Sequence, residues 1–167
     1  PQMPVIEELM HAIGVEMQGC RDYEAEDVIA TWTAQLPDAT VEIASGDRDL
    51  FALVEGSRVR VLYPEKGGLA MVDEAEIQRR YGIPGQLYCD FAVLRGDPSD
   101  GLPGLKGVGA VTAAQLLRRH GGVEGVLRDG AVSDAQRAYL SSALQVVRPV
   151  RTCLLYTSDA ADELTRL

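Results

Sequence analysis

The amino-acid sequence predicts an α/β core followed by a small all-helical module. Up to Gly96, segments with the apolar spacing of strands alternate with segments of helical spacing, which is typical of a sheet covered by helices. From Gly96 to Gly109 glycine and proline dominate, and only helical patterns follow. A chain of 167 residues with 46% hydrophobic residues is sufficient for one domain, or for one domain and a small module.

Two helices and two strands are predicted in the first part of the core. Asp22 is the expected N-cap of the second helix, and a helical turn over 50–54 is expected between the strands. In chain order the predicted elements are a helix over 1–13, a helix over 24–36 with Val28, Ile29, Trp32 and Leu36 on one face, a strand over 39–45 with Val41 and Ile43 inward, and a strand over 58–64 with Val59 and Val61 inward.

The remaining predicted elements are helices. Asp73 is expected to cap a helix that runs through Tyr81, because aspartate before an apolar periodic segment accepts the first free amides. The helices that follow are one from Pro84 that buries Tyr88, Phe91 and Leu94, one over 111–120, a short one after the turn at 120–122, and a last one capped by Ser133 with Ala138, Leu140, Leu144 and Val147 inward.

Composition argues against several classes of protein. No apolar run reaches the roughly 18 residues that a membrane span requires. The cysteines Cys20, Cys89 and Cys153 form no CxxC pair, which argues against a disulfide framework or a zinc site and favours a reducing cytoplasm. The formal charge of −9, taken alone, argues against a nucleic-acid partner, since phosphate contacts require Lys and Arg.

We expect that the start of the protein is missing from this sequence and that the end of the sequence is foreign to it. The chain opens at Pro1, without Met and inside a predicted helix, as expected for a fragment of a longer protein. The tail 153–167 begins with "CLLYTSDAADE" and has neither a helical nor a strand period. It resembles a read-through translation of the transposase adapter used in sequencing libraries, so we expect it not to be native.

Three clusters of acidic residues lie at the ends of predicted elements. Acids in a first turn also complement the helix dipole, and aspartate beside glycine or proline also suits a solvated turn, so each cluster alone has an ordinary alternative. Together the clusters offer oxygen ligands only, which suit Mg²⁺ or Mn²⁺ rather than zinc. The seven residues are Glu24, Glu26 and Asp27 at a helix start, Asp47 and Asp49 after a strand, and Asp97 and Asp100 in the turn "GDPSDG".

Seven carboxylates exceed the needs of one ion and indicate a two-metal site that acts on a phosphodiester. In such a site one ion activates water and the other stabilises the leaving oxygen.

The glycine-rich stretch "GLPGLKGVG" opens the helix over 111–120. A dinucleotide fingerprint fails because Thr112 occupies the third glycine position, and a P-loop fails because glycine follows Lys106. A tight hairpin is left, whose backbone amides can face a phosphate at the helix N-terminus, with Lys106 adding one positive charge. A glycine-rich turn between domains is the alternative.

Three motifs in this order resemble the bacterial 5′–3′ exonucleases, which include the 5′-nuclease domain of DNA polymerase I and belong to the flap endonuclease superfamily. The motifs are "YEAEDVIAT", "ASGDRDLFALV" and "LRGDPSDGLPGLKGVGAVTAAQLL", and the resemblance covers residues 1–152. It implies a PIN-like (Rossmann-like) α/β nuclease core over 1–98 and a helix–three-turn–helix (helix-hairpin-helix) DNA-binding module over 99–152.

The resemblance also implies roles for the acidic residues and the hairpin. Glu24 and Glu26 would bind the first metal ion, with Asp27 beside them. Asp47, Asp49 and Asp100 would bind the second, with Asp97 close by. The hairpin and the helix after it would bind the backbone of the DNA duplex, with K⁺ on the hairpin carbonyls. The expected DNA-contacting residues are Gly104, Lys106, Gly107, Val108, Gly109 and Thr112.

The sequence departs from the family pattern at three places. Glu26 stands where the bacterial enzymes have Asp, and Gly101 stands where Asn is common. The family's N-terminal segment, which supplies a strand with Asp ligands, basic residues at the scissile phosphate and a helical arch, precedes the first residue of this chain. We therefore expect impaired activity in the chain as it stands.

The predicted function is a divalent-metal-dependent 5′–3′ exonuclease and 5′-flap endonuclease of the cytoplasm, in primer removal and DNA repair. The expected partners are DNA with a 5′ flap or 5′ end and a DNA polymerase, and the expected oligomeric state is a monomer. Two alternatives stay open: a non-catalytic duplex-DNA-binding module, and a phosphatase with an Asp-x-Asp motif. The phosphatase reading does not account for the glycine hairpin.

Overall fold

The computed structural model describes residues 2–130 and 132–157, which form two compact units. Of the described residues, one unit contains 2–35 and 150–157, and the other contains those between Leu36 and Pro149. Among the described residues, no helix combines the length and apolarity needed to cross a membrane. The helices are Met3–Ala12 (α1), Ala25–Gln35 (α2), Glu74–Tyr81 (α3), Tyr88–Arg95 (α4), Ala110–His120 (α5), Val123–Arg128 (α6) and Asp134–Val147 (α7); the strands are Gln18–Gly19 (β1), Val41–Ala44 (β2), Val59–Glu65 (β3), Gly68–Val72 (β4) and Tyr156–Thr157 (β5).

A three-stranded mixed sheet in the order β2-β3-β4 organises the larger unit. Strands β2 and β3 are parallel, with Val41 opposite Val59, and β4 pairs antiparallel with β3. The sequence predicts β2 and β3 but not β4, because Gly67 in the preceding turn and Gly68 at the start of β4 both have positive φ and are typical of loops, and only four apolar residues follow. Val61 of β3 and Val72 of β4 are fully buried, so this face of the sheet belongs to the core.

Aromatic side chains join the sheet to the helices of the larger unit. Phe51 lies in the 3₁₀ helix Asp49–Leu53, and its ring contacts Tyr88 of α4 edge-to-face with centroids 5.2 Å apart. Every residue of α4 except Arg95 is buried, since the helix packs between this cluster and the helices α5 and α7. Leu117 of α5 and Leu140 of α7 are fully buried in the helical part of the core.

The smaller unit is held together by polar contacts of α2. The Trp32 indole donates a hydrogen bond to the Gln18 side chain at 2.8 Å, and the Thr31 hydroxyl lies 3.0 Å from the buried Cys153 sulfur. Strand β1 pairs antiparallel with β5. The predicted foreign tail begins at Cys153, and its residues 158–167 lie outside the described residues, so that prediction stays a prediction.

Most predicted elements are confirmed, with corrections at element ends. Asp22 is not the N-cap of α2, because that helix begins at Ala25 and Asp22 has a φ of +65° in the preceding turn. Leu36 lies beyond the last turn of α2 and is 49% exposed, and Ala138 is on the exposed face of α7. Ser133 caps α7 through a capping box with Gln136, as the sequence predicts for Ser133.

Candidate metal-binding site

The loop after β2 presents two aspartates in a fixed arrangement. The backbone amide of Asp47 donates to the Ser45 hydroxyl at 3.1 Å, and the amide of Asp49 donates to the Asp47 carboxylate at 3.0 Å. Asp47 is exposed, whereas Asp49 begins a 3₁₀ helix and is only 9% exposed. The strand end therefore places one carboxylate at the surface and one against the core.

A second pair of aspartates follows α4. Asp97 is 4% exposed and caps the 3₁₀ helix Pro98–Asp100, and both of its carboxylate oxygens are already hydrogen-bonded. Oδ1 accepts from the amide and hydroxyl of Ser99, and Oδ2 accepts from Arg95 at 3.1 Å. Asp100, at the end of the same turn, is exposed.

These four aspartates line one open pocket of about 450 Å³. Its other lining residues are Gly46, Arg48, Tyr63 and Ser99. The sequence thus predicts four lining residues as site residues and misses Arg48, Tyr63 and Ser99. Arg48 and Ser99 lie inside the quoted motifs, whereas the alternation of β3 indicates only a core position for Tyr63.

Burial and like charges act together on Asp49. Desolvation raises the pKa of Asp49, the charges of Asp100, Asp47 and Asp97 raise it further, and the result is about 7 in spite of the opposing charge of Arg48. Burial also acts to raise the pKa of Asp97, but its hydrogen bonds with Ser99 and the charges of Arg48 and Arg95 outweigh burial and lower it.

The pocket has the chemistry of a site for a hard cation. Carboxylate oxygens are the ligands that Mg²⁺ and Mn²⁺ prefer, and a cation among them would remove the repulsion that raises the pKa of Asp49. Asp97 fits less well as a direct ligand than Asp47, Asp49 and Asp100, since its two oxygens are occupied by Arg95 and Ser99.

The remaining predicted ligands belong to the smaller unit. Glu24 precedes α2 and is exposed, and Glu26 is half-buried in its first turn. The Asp27 carboxylate accepts from the amide of Glu24 at 3.1 Å and from that of Val150 at 2.6 Å. Asp27 therefore stabilises the start of α2 and holds the segment at Val150 against it. The predicted role of Glu24, Glu26 and Asp27 in metal binding stays a prediction.

The glycine hairpin is tied to the end of α4. Asp97 and Leu102 exchange backbone hydrogen bonds, and the amide of Leu105 donates to the Leu94 carbonyl at 2.9 Å. At Gly104, with a φ of +71°, an added Cβ would lie 2.6 Å from the carbonyl of Arg95, so no other residue fits there without a backbone shift. The acidic turn and the hairpin are thus one rigidly connected stretch.

Tyr139 of α7 fixes the same stretch from the other side. Its hydroxyl accepts from the amide of Gly104 at 3.0 Å and donates to the carbonyl of Val93 at 2.9 Å. One side chain therefore joins α7, α4 and the hairpin.

The tip of the hairpin is open to solvent. Lys106, Gly107 and Gly109 are exposed, and a Cβ at either glycine would meet no atom within 4 Å. Helix α5 begins immediately after Gly109 with no side-chain cap, and Thr112 in its first turn is exposed. Its first amides can therefore donate hydrogen bonds to an anion from outside, as at other helix N-termini.

The structure thus has an α/β part with carboxylates beyond a strand end, joined to a helical part by a glycine hairpin, and this arrangement agrees with that of a known protein family. A family model described as the 5′-3′ exonuclease N-terminal resolvase-like domain matches residues 1–82. A second, described as the 5′-3′ exonuclease C-terminal SAM fold, matches residues 83–156. The chain belongs to the 5′–3′ exonuclease family.

Individual relatives agree with this family. A 5′-3′ exonuclease of Streptomyces coelicolor is 51% identical over 137 residues, which are 80% of this chain and 44% of that protein. DNA polymerase I of Mycobacterium bovis is 37% identical over 153 residues, which are 86% of this chain and 17% of that protein. The chain thus spans less than half of either relative.

A solved structure shows the shared fold. The bacteriophage T5 flap endonuclease, in a complex with DNA and metal ions, superposes with a TM-score of 0.58 at 16% identity over 76% of this chain and 47% of its own. The predicted fold class, a PIN-like α/β core followed by a helical module, is confirmed. The predicted boundary at 98/99 and the incompleteness of the core stay predictions.

Proposed function

We propose that this chain forms part of a divalent-metal-dependent 5′–3′ DNA exonuclease with 5′-flap endonuclease activity. The observation that carries the proposal is the pocket in which Asp47, Asp49, Asp97 and Asp100 meet, on the same connected stretch as the glycine hairpin. The family supports it, since the Streptomyces relative is named a 5′-3′ exonuclease and the bacteriophage neighbour a flap endonuclease.

The proposed cofactors are two ions of Mg²⁺ or Mn²⁺. Such ions supply a water nucleophile at neutral pH and stabilise the charge of the leaving oxygen. Asp47, Asp49 and Asp100 would hold one ion, and Asp97 would position Asp100 through its bonds with Arg95 and Ser99. Glu24 and Glu26 would hold the other, with Asp27 stabilising the start of the helix that carries Glu26.

The proposed DNA-binding element is the hairpin with the first turn of α5. Lys106 and the amides near Gly107, Val108, Gly109 and Thr112 offer one positive charge and several donors, which suit phosphate oxygens rather than base edges. Gly104 would shape the hairpin at its base, where its backbone packs closely against the carbonyl of Arg95. A K⁺ ion on the hairpin carbonyls belongs to the same proposal.

The biological setting follows from the family. Relatives named DNA polymerase I support a role in primer removal and DNA repair, with a DNA polymerase as partner or as the same chain. The proposed substrate is DNA with a 5′ flap or a 5′ end, acted on by a monomer in the cytoplasm.

A single gel tests the nuclease proposal. The chain is mixed with an end-labelled 5′-flap duplex in Mg²⁺, beside lanes with EDTA, with Asp47→Ala and with Asp38→Ala. Asp38 is an exposed aspartate before β2 that does not line the pocket, so it controls for the loss of one negative charge. We expect cleavage at an impaired rate by the wild-type chain and by Asp38→Ala, and loss of cleavage with EDTA and with Asp47→Ala.

Other outcomes distinguish the alternatives. Cleavage that persists in EDTA or in Asp47→Ala would contradict the proposal. Retarded but uncut DNA would favour the non-catalytic DNA-binding module. Release of the 5′ phosphate without cleavage of the strand would favour the Asp-x-Asp phosphatase.

A further inference from the structure

Arg48 is a cation among the residues that line the acidic pocket. It stands between Asp47 and Asp49 in the loop after β2 and lines the pocket together with four aspartates. Of the described residues that line this pocket, Arg48 alone is positively charged. The residue is exposed, so its guanidinium can be reached from solvent.

Arg48 differs from the other arginine near these aspartates. Arg95 donates to Asp97 at 3.1 Å and lies 5.2 Å from the centroid of the Phe91 ring, so it is held in place by the protein itself. Within the part of the chain that the structure describes, the Arg48 carbonyl accepts from the Phe51 amide at 2.9 Å, but the Arg48 guanidinium forms neither a hydrogen bond nor an ion pair. Its charge nevertheless acts on Asp49 and Asp97, where it opposes the effect of burial on their pKa values.

A guanidinium in this position is unfavourable for the metal ions that the pocket is proposed to bind. Like charges repel, and the pocket's low exposure at Asp49 and Asp97 limits screening of that repulsion by water. A group that weakens cation binding at a cation site requires another reason. An arginine offers planar, charged donors that match the oxygens of a phosphate, and no other described residue that lines the pocket offers a positive charge to a phosphodiester.

We propose that Arg48 binds a non-bridging oxygen of the DNA phosphate that enters the acidic pocket. The inference rests on the proposed nuclease function and adds to it a residue that positions the substrate. Asp47 and Asp49 would offer their oxygens to metal while Arg48, on the same loop, would hold the phosphate against it. One loop would thereby bind both the metal ion and the phosphate.

This role predicts opposite effects of one substitution on two ligands. Arg48→Ala removes a positive charge, so Mn²⁺ should bind about two- to fivefold more tightly. The same change removes a charge-assisted hydrogen bond to phosphate, so DNA should bind about tenfold more weakly. A merely structural role would weaken both or change neither.

The experiment measures both ligands with the full chain. Mn²⁺ binding is followed by electron paramagnetic resonance, and binding of a fluorescent 5′-flap duplex by anisotropy in Ca²⁺. The variants are Arg48→Ala, Arg48→Lys and the control Arg128→Ala, which removes the same charge from the exposed end of α6, outside the pocket. Arg48→Lys should retain part of the DNA affinity, and Arg128→Ala should change both affinities less than about twofold.

The outcomes separate this inference from the function on which it rests. A wild-type chain that binds neither Mn²⁺ nor DNA would overturn both. A wild-type chain that binds both, together with an Arg48→Ala variant whose DNA affinity equals that of Arg128→Ala, would overturn the role of Arg48 alone. Weaker binding of both ligands by a variant with an unchanged melting curve would also overturn it.

Discussion

Two carboxylates in the larger unit are almost equally withdrawn from water, yet their surroundings are opposite. Asp90 of α4 is 2% exposed, and Asp49 is 9% exposed. Asp90 accepts from the amide of Val123 at 2.8 Å and from Arg148 at 2.7 Å. Asp49 has Asp47, Asp97 and Asp100 as its charged neighbours, against a single opposing charge from Arg48.

The difference separates a structural carboxylate from a ligand-binding one. A buried charge is costly unless a partner within the protein compensates for it. Asp90 has such partners and joins α4 to the start of α6 and the end of α7. Asp49 has no partner of comparable strength, and the unfavourable burial of its charge raises its pKa to about 7. Burial alone therefore says little about function, whereas burial among like charges indicates a cation from outside.

The largest expected effect comes from removal of the structural carboxylate. Asp90→Ala leaves the Val123 amide without an acceptor and Arg148 with only Glu124, so the free energy of unfolding should fall by about 2–3 kcal/mol. Urea denaturation of the full chain measures the change. Asp38→Ala is the control and should change stability by less than about 0.5 kcal/mol. Equal stability of the two variants would remove the distinction between Asp90 and a surface aspartate.

The contrast between Asp90 and Asp49 also shows what a sequence can predict. The strand-end position of Asp49 follows from the alternation of β2, and the Asp73 cap, which accepts from Glu76 at 2.9 Å, follows from local spacing. The partners of Asp90 lie 33 and 58 residues away along the chain, and no local pattern indicates them.

The candidate site shows the same limit. The motifs identify Asp47, Asp49, Asp97 and Asp100, but the contribution of Tyr63 depends on how β3 lies beside the loop after β2. Arg48 is visible in the sequence, but the absence of a hydrogen bond or ion pair at its guanidinium, among the described residues, is a property of the packed structure. Strand β4 escapes prediction because it is only five residues long and follows directly on Gly67 and Gly68, which are typical of loops.

An intermediate effect is expected at the hydroxyl of Tyr139, a neutral counterpart of Asp90. Tyr139→Phe leaves the Gly104 amide and the Val93 carbonyl without this partner, which should lower the free energy of unfolding by about 1–2 kcal/mol. Hydrogen exchange at the Gly104 amide should also become faster, because the hairpin loses a contact with α7. Tyr23→Phe, at a 46% exposed tyrosine, is the matched control. Unchanged exchange at Gly104 would show that the backbone contacts with α4 suffice to hold the hairpin.

The smallest expected effect is the pH dependence that Asp49 imposes on the metal-free protein. Its folded-state pKa of about 7 lies above the ordinary 3.8, so between these values the folded state binds more protons than the unfolded state. The stabilising contribution of protonated Asp49 is complete below about 3.8 and is lost as the pH rises through about 7. We expect a loss of about 1 kcal/mol over this window in EDTA, after allowance for solvent screening.

Asp49→Asn tests this contribution directly, because the amide keeps the shape of the carboxyl and cannot ionise. Unfolding of the variant in EDTA should show a flatter pH dependence than the wild type across the same window. Mg²⁺ should restore the stability of the wild type at neutral pH and leave the variant less affected, since the ion replaces the proton that Asp49 has lost. Identical pH profiles of wild type and variant would mean that neither burial nor repulsion among the four aspartates raises the pKa of Asp49 strongly, and the contrast with Asp90 would then rest on hydrogen bonds alone.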